Sequence, residues 1–170
     1  MRTDLIIFQE IINPLFVHQE NNFNEISAGM KIEIDRRGCK SLVIKPDVEL
    51  GKEYKGGIFP FFNNKKSGVC KICDYLIFGL ENNKIYAILI ELKKGDRNTM
   101  PQLKAAENFL NFIISTANRL EGKNINVITR KVSIKEIKRK PKTKIKDIEY
   151  DSHNHHIFEQ NKFHIRSFLK

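Results

Sequence analysis

The sequence lacks the features that mark exported or membrane-spanning proteins. No uninterrupted apolar run approaches the roughly 20 residues that a transmembrane helix needs. Met1–Asp4 places an acid before only a short apolar stretch, which is not the pattern of a signal peptide. Cysteine occurs only at Cys39, Cys70 and Cys73, an odd and small set that argues against a disulfide framework. We therefore expect an intracellular, cytoplasmic protein without a membrane partner.

Acidic residues are also few relative to basic ones, and the formal net charge is +10. Ten Lys or Arg and one acid, Glu136, lie between Lys123 and Lys146, so this basic segment contributes +9. Lysine is a default surface residue, but its concentration in one segment favours an acidic polymer such as nucleic acid as partner. The cations that we expect to bind nucleic-acid phosphates are Arg130, Lys131, Lys135, Lys138, Arg139, Lys140, Lys142 and Lys144.

One stretch near the middle of the chain predicts a pair of strands that ends in charged residues. Two apolar runs, Tyr75–Phe78 and Ile85–Ile90, flank a polar turn and are rich in branched and aromatic residues. The second run leads into Glu91 and Lys93, which project to the same side because side chains alternate along a strand. Antiparallel pairing brings Asp74, at the start of the first run, beside Glu91.

Two neighbouring carboxylates repel each other, and a divalent cation removes that cost. Mg²⁺ prefers oxygen ligands and usually takes one or two carboxylates, which leaves positions for water and a substrate phosphate. We expect Asp74 and Glu91 to bind Mg²⁺ or Mn²⁺, with the Leu92 backbone carbonyl as a third oxygen. A metal there polarises a phosphate and acidifies a bound water. Lys93 would orient that water or neutralise charge on the phosphate.

Asp74, followed after sixteen residues by Glu91-Leu92-Lys93, resembles the motif of the metal-dependent PD-(D/E)XK nuclease superfamily. The resemblance covers about Lys71 to Leu120. It implies a restriction-endonuclease-like α/β fold, with a central mixed sheet flanked by helices, and hydrolysis of phosphodiester bonds, with DNA favoured over RNA. Cys73 stands where the motif has proline. A literal Pro46-Asp47 occurs earlier, but the residues after it have the wrong spacing, and we interpret it as a chance match.

A helix is predicted from Met100 to Leu120, ended by Gly122, because apolar residues recur at helical spacing. Thr99 precedes this helix and Gln102 follows Thr99 by three residues, which matches a capping box. Gln102 also resembles a helix glutamine seen in several nuclease branches, where it would position water or phosphate. Both roles stay open. A strand over Asn126–Thr129 would complete a strand-helix-strand unit and give a mixed sheet.

The amino-terminal residues predict a first helix over 4–13, because Asn13-Pro14 breaks the apolar stretch there. Nuclease relatives often direct an acid on such a helix at the metal. Glu10 is the candidate for that role, ahead of Glu20 and Glu25. The alternative for Glu10 is a solvent-facing position, which is ordinary for glutamate.

Alternation of apolar and polar residues predicts further strands. Met30–Asp35 and Ser41–Ile44 lie on either side of a turn and are expected to pair as a hairpin. Val132–Ile134 and Lys142–Lys146 would form peripheral strands, or a flap that orders on nucleic acid. Phe163–Leu169 would add an edge strand.

Cys70 and Cys73 have the spacing of a zinc half-site. A structural zinc needs four ligands, and no second such pair is present in the sequence. His153, His155 and His156 would complete the site only if the fold brought them to the cysteines. The alternatives are buried cysteines and exposed histidines on a loop.

We therefore expect a single α/β domain over residues 1–170 that acts as a Mg²⁺- or Mn²⁺-dependent endonuclease, in restriction, defence or repair. A homodimer is one natural way to cut both strands of a duplex. A partner protein is one source of targeting, because no motor or specificity domain is evident in the sequence. Two alternatives stay open: a nucleic-acid-binding or assembly module that does not cut, and a zinc-stabilised adaptor.

Overall fold

The structure, a computed structural model, describes residues 4–26, 29–48, 61–63, 65–95, 98–136 and 147–170. These residues form an α/β fold with two α-helices and two mixed β-sheets of five and three strands. The helices are α1 (Asp4–Ile11) and α2 (Met100–Glu121). The strands are β1 (Asn22–Glu25), β2 (Met30–Asp35), β3 (Lys40–Ile44), β4 (Tyr75–Glu81), β5 (Lys84–Lys93), β6 (Val127–Lys135), β7 (His155–Phe158) and β8 (Lys162–His164).

The five-stranded sheet has the order β3-β4-β5-β6-β7, which puts β5 at its centre. The first three strands are antiparallel, and β6 and β7 run parallel to β5. Asn82 and Asn83 connect β4 to β5 with φ angles of 51° and 59°. Asparagine tolerates positive φ, and such two-residue turns match the twist of a hairpin. The predicted pairing across this turn is confirmed.

Helix α2 crosses from the end of β5 to the start of β6, so the predicted strand-helix-strand unit and mixed sheet are confirmed. Gly122 ends the helix in the left-handed region at φ 64°, and its N–H donates to the Asn118 carbonyl. The strand after the helix is longer than expected. It joins the predicted strands at 126–129 and 132–134 into β6, which lies between β5 and β7 and is therefore not peripheral.

Two apolar cores lie on opposite faces of the five-stranded sheet. Helices α1 and α2 cover one face, and the three-stranded sheet, of order β1-β2-β8, covers the other. The central strand β5 supplies both cores because its side chains alternate. Its residues Ile85, Ala87 and Leu89 pack toward the helices, and Tyr86, Ile88 and Ile90 pack toward the small sheet. A strand buried on both faces reads as a continuous apolar run, as this one does.

The predicted hairpin of β2 with β3 is wrong. Strand β2 pairs with β1 and β8 in the small sheet, and β3 pairs with β4 in the large one. Alternation shows which face of a strand is buried, but it does not identify the neighbouring strand. Strand β1 has the polar sequence NFNE, in which only Phe23 is fully buried, so it lacks the apolar pattern of a strand.

The carboxyl-terminal residues differ in part from expectation. The predicted edge strand at 163–169 is the short strand β8 followed by a 3-10 helix at Ile165–Phe168. His155 and His156 lie on β7 rather than on an exposed loop. The predicted strand at Lys142–Lys146 lies outside the described residues. In the described part of the chain, no helix is long and apolar enough to cross a membrane.

Candidate functional site

Asp74 and Glu91 lie side by side where β4 begins and β5 approaches its end. Tyr75 pairs with Ile90 in the antiparallel ladder. Asp74 precedes Tyr75 and Glu91 follows Ile90, so the two acids lie opposite each other. The Leu92 N–H donates a 2.6 Å hydrogen bond to Asp74 Oδ2. This contact with Asp74 uses the N–H of Leu92. A role for the Leu92 carbonyl as a metal ligand stays a prediction.

Glu91 and Lys93 form an ion pair along the same face of β5. Lys93 Nζ lies 2.8 Å from Glu91 Oε1, and the side chains are 24% and 3% exposed. The second carboxylate oxygen, Glu91 Oε2, is buried and has no hydrogen-bond partner among the described residues. A buried carboxylate oxygen without a partner is costly, and such an atom is a natural ligand for a cation.

Two further acids complete a group of carboxylates around Asp74. Ligand oxygens of Glu25, Asp47 and Asp74 all lie within 4.8 Å of one another. Glu25 is the last residue of β1, and Asp47 follows β3 by three residues. Strand β3 is antiparallel to β4, so its carboxyl end lies beside the amino end of β4, where Asp74 is found. Asp47 thus lies beside Asp74, although Pro46-Asp47 lacks the spacing of the motif.

Glu10 does not belong to this group. Its side chain is exposed on α1, and the acid that joins Asp47 and Asp74 is Glu25. The structure does not bring Glu10 together with Asp74, and a role for Glu10 at the metal stays a prediction. Glu20, the other acid considered, is exposed and accepts a 3.0 Å hydrogen bond from the side chain of Asn24.

Burial raises the pKa of three acids at this site, and the effect is largest for Asp74. Burial, aided by the charge of Glu91, raises the pKa of Asp74 to about 8. Burial also raises the pKa of Glu91, and Lys93 opposes that rise. The pKa of Asp47 is raised by burial as well, against the influence of Lys45, whose Nζ lies 4.0 Å from Asp47 Oδ1. Cation binding at such a site must displace protons.

The predicted capping box at the start of α2 does not form. Thr99 Oγ1 lies 2.5 Å from Ser133 Oγ and makes no cap hydrogen bond, and Asn98 Oδ1 accepts from the Met100 N–H instead. Gln102 lies partly exposed in the first turn, and its side chain has no hydrogen bond to another described residue. The structural role for Gln102 is thus excluded, while the catalytic role stays a prediction.

The described cations of the basic segment are engaged with protein groups. Lys131 is 7% exposed, and its Nζ lies 2.8 Å from Glu107 Oε1. The sequence predicts that Lys131 binds a phosphate, but its charge is paired with Glu107 instead. Arg130 stacks 4.4 Å from the Tyr150 ring centroid and donates to the Lys170 carbonyl. Lys135 is partly buried at the end of β6. The other predicted phosphate contacts lie outside the described residues: Lys138, Arg139, Lys140, Lys142 and Lys144.

The cysteine pair does not form a zinc site with the described residues. Among the described residues, the group of side chains that could hold a metal ion contains neither Cys70 nor Cys73. Cys73 is buried, its Sγ donates to the Tyr75 carbonyl at 3.1 Å, and burial raises its pKa. His155 Nε2 lies 2.7 Å from Ser133 Oγ, and His156 Nδ1 lies 2.8 Å from the Glu149 carbonyl. These histidines are therefore engaged elsewhere in the fold.

Comparisons of the chain with protein-family models, with curated proteins and with solved structures found no match. Function is therefore inferred from the chemistry of the site. The site combines hard oxygen donors from three separate segments with one partly exposed lysine. Oxygen donors of this kind suit Mg²⁺ and Mn²⁺ rather than softer metals.

Proposed function

We propose that the protein is a divalent-metal-dependent nuclease with a restriction-endonuclease-like fold. The observation that carries the proposal is the Glu91 carboxylate. One of its oxygens pairs with Lys93, and the other is buried beside Asp74 without a hydrogen-bond partner among the described residues. A protein gains no stability from such an arrangement, because buried acids are desolvated and repel one another. A metal site accounts for its presence.

The residues fit a metal of the Mg²⁺ class. Asp74 would hold it together with Glu25 and Asp47, whose ligand oxygens lie within 4.8 Å of one another. Glu91 is not part of that group, and it would join from the neighbouring strand through its unpartnered Oε2. The Leu92 carbonyl is a further candidate ligand. A bound Mg²⁺ or Mn²⁺ supplies Lewis acidity, which polarises a phosphate oxygen and lowers the pKa of a bound water.

Lys93 is the residue best placed to act on the substrate. Its side chain is partly open to solvent, and its ammonium is held by the 2.8 Å contact with Glu91 Oε1. From there Lys93 donates a hydrogen bond to the attacking water or to a phosphate oxygen that gains charge in the transition state. Lys93 also favours the charged form of Glu91, which keeps that carboxylate available as a ligand.

The order of elements supports the fold that the motif implies. An acid precedes β4, the sequence Glu91-Leu92-Lys93 ends β5, and α2 then crosses the sheet to β6. The antiparallel β3-β4-β5 unit followed by a parallel strand is a central mixed sheet with helices against it. The motif residues lie at the edge of that sheet where these elements meet.

The substrate class follows from the chemistry and the charge. A site that combines a hard cation with a lysine suits a phosphodiester, and a net charge of +10 attracts a polyanion. DNA is favoured over RNA only because the motif resembles that of DNA-cutting enzymes. The same surface charge would serve a module that binds nucleic acid without cutting, so cleavage is the decisive observation.

Cleavage of labelled single-stranded, double-stranded and branched DNA and of RNA, in Mg²⁺, Mn²⁺ or EDTA, tests the proposal. We expect the wild type to cut at least one substrate only with metal, and Glu91→Ala and Lys93→Ala to be at least about 100-fold slower. Lys94→Ala is the matched control, because Lys94 is exposed and lies 3.8 Å from Glu136. Equal nucleic-acid binding by all variants without any cutting would replace the nuclease by a binding module.

A further inference from the structure

We propose that Tyr75 is a positioning residue that sets the metal affinity of the site by holding Glu25 at the correct distance from Asp74. This inference rests on the proposed metal site. It assigns a role to a buried residue that neither binds the metal nor contacts the substrate. The role is visible only in the fold, because residues 24 and 75 are far apart in the sequence.

The hydroxyl of Tyr75 makes two hydrogen bonds to one residue. It accepts from the Asn24 N–H at 2.9 Å and donates to the Asn24 carbonyl at 3.2 Å. Asn24 immediately precedes Glu25, and Tyr75 immediately follows Asp74. Each of the two carboxylates is therefore one residue away from the linkage, which joins the backbone of β1 to a side chain of β4.

The linkage spans two sheets that share no strand. Strand β1 is an edge strand of the three-stranded sheet, paired only with β2, and β4 belongs to the five-stranded sheet. The backbone groups of Asn24 that bond to Tyr75 lie on the open edge of β1. The end of β1 is held within its own sheet by the pairing of Glu25 with Met30. The Tyr75 hydroxyl adds a link from this strand to β4, and through that link it sets where Glu25 lies relative to Asp74.

The ring of Tyr75 is itself held firmly, so its hydroxyl is a fixed point. The ring is fully buried and packs 4.6 Å from the Phe23 ring and 5.0 Å from the His18 ring, measured between centroids. These ring contacts fix the point from which the hydroxyl bonds to both backbone groups of Asn24.

Calorimetric titration with Mn²⁺ tests the role of Tyr75 without any assay of activity. We expect Tyr75→Phe to raise the Mn²⁺ dissociation constant at least about tenfold, as loss of a group that orients a ligand typically does. The matched control is Tyr150→Phe, which removes a hydroxyl that bonds to the Phe168 carbonyl at 3.5 Å. Melting temperatures in EDTA show whether the fold survives in each variant.

A double-mutant cycle separates positioning of Glu25 from a general effect on the fold. If Tyr75 acts through Glu25, then Tyr75→Phe weakens Mn²⁺ binding little further in a Glu25→Gln background. If the losses of Mn²⁺ affinity in Tyr75→Phe and Glu25→Gln added in full in the double variant, the inference would be overturned. Wild-type affinity in Tyr75→Phe would overturn it as well. A wild type that does not bind Mn²⁺ contradicts the proposed metal site itself, and the inference is then wrong with it.

Variants of Asn24 test the linkage from its other side, in case Tyr75→Phe does not fold. Asn24→Ala keeps both backbone groups and should bind Mn²⁺ like the wild type. Asn24→Pro removes the N–H that donates to Tyr75, at an edge position where proline is tolerated, and should bind Mn²⁺ more weakly. Equal affinity of these two variants would overturn the inference.

Discussion

Lys93 Nζ lies 2.8 Å from Glu91 Oε1, and the two partners differ sharply in exposure: Glu91 is buried and Lys93 is open to solvent on one side. This difference divides their roles. Glu91 has a second, buried oxygen that suits a cation, whereas Lys93 can meet a substrate. Under the proposed function, this ion pair would join a metal ligand to a group that acts on the phosphate.

The first prediction separates these roles. Lys93→Ala should cut nucleic acid at least about 100-fold more slowly but still bind Mn²⁺, because Lys93 supplies no ligand. Glu91→Gln should lose both cutting and Mn²⁺ binding, since its neutral amide is a weaker ligand than a carboxylate. Cleavage rates and calorimetric titration of the same preparations check the split. Loss of Mn²⁺ binding in Lys93→Ala would contradict the assigned roles.

The second prediction compares two glutamates that the sequence ranks in the opposite order, with Glu10 ahead of Glu25. Glu25→Gln should weaken Mn²⁺ binding at least about tenfold, because Glu25 lies within the carboxylate group. Glu10→Gln is the matched control and should bind like the wild type, since Glu10 is exposed on α1. The opposite ranking of these two variants would show that α1 supplies the ligand after all.

The third prediction concerns pH and the metal-free protein. The pKa of Asp74 is raised from 3.8 to about 8 in the folded protein, so the folded state binds more protons than the unfolded state between these values. Stability from this group is therefore present at low pH and falls as pH rises through the folded pKa. In EDTA the protein should melt at a lower temperature at about pH 9 than at about pH 6.

Asp74→Asn is the control for this pH dependence. The asparagine side chain does not titrate, so the melting temperature of the variant should fall less between about pH 6 and about pH 9 than that of the wild type. Excess Mg²⁺ should also reduce the pH dependence of the melting temperature of the wild type, because a bound cation keeps the carboxylates deprotonated. If the melting temperature depended on pH equally in Asp74→Asn and in the wild type, groups other than Asp74 would control that dependence.

The fourth prediction concerns the hydrogen bonds that join α2 to the sheet. Ser133 Oγ lies 2.5 Å from Thr99 Oγ1 and 2.7 Å from His155 Nε2. Ser133→Ala removes both contacts and leaves a buried Thr99 hydroxyl without this partner, which should lower the free energy of unfolding by about 1–3 kcal/mol. Urea denaturation measures the loss. Thr116→Ala, on the exposed side of α2, should change it by less than about 0.5 kcal/mol.

The motif residues could be predicted from sequence because a local hairpin brings them together. Asp74 and Glu91 are opposite each other as soon as the turn at Asn82-Asn83 fixes the register of β4 and β5. Helix α2 and its end at Gly122 could be predicted for the same reason, because the spacing of apolar residues and a glycine after them are local features of the sequence. Each of these features depends on residues that are close in the sequence.

The places of Glu25, which ranked below Glu10, and of Asp47 could not be predicted from sequence, because they depend on long-range contacts. Glu25 ends a strand with a polar sequence, and the residue before it, Asn24, is hydrogen-bonded to Tyr75, which lies about fifty residues further along the chain. Asp47 reaches the site because β3 pairs with β4 and not, as alternation suggested, with β2. A strand pattern identifies which face is buried, but the choice of partner strand is decided by the packing of the whole sheet.

Calorimetric titration of the wild type with Mn²⁺ at about pH 7, in two buffers of different ionisation enthalpy, tests the central claim most directly. The account predicts saturable binding with release of protons, because the raised pKa of Asp74 keeps it protonated before the cation enters. Asp74→Asn should bind more weakly and release fewer protons. Absence of saturable binding, or binding without proton release, would contradict the claim that these buried carboxylates form a metal site.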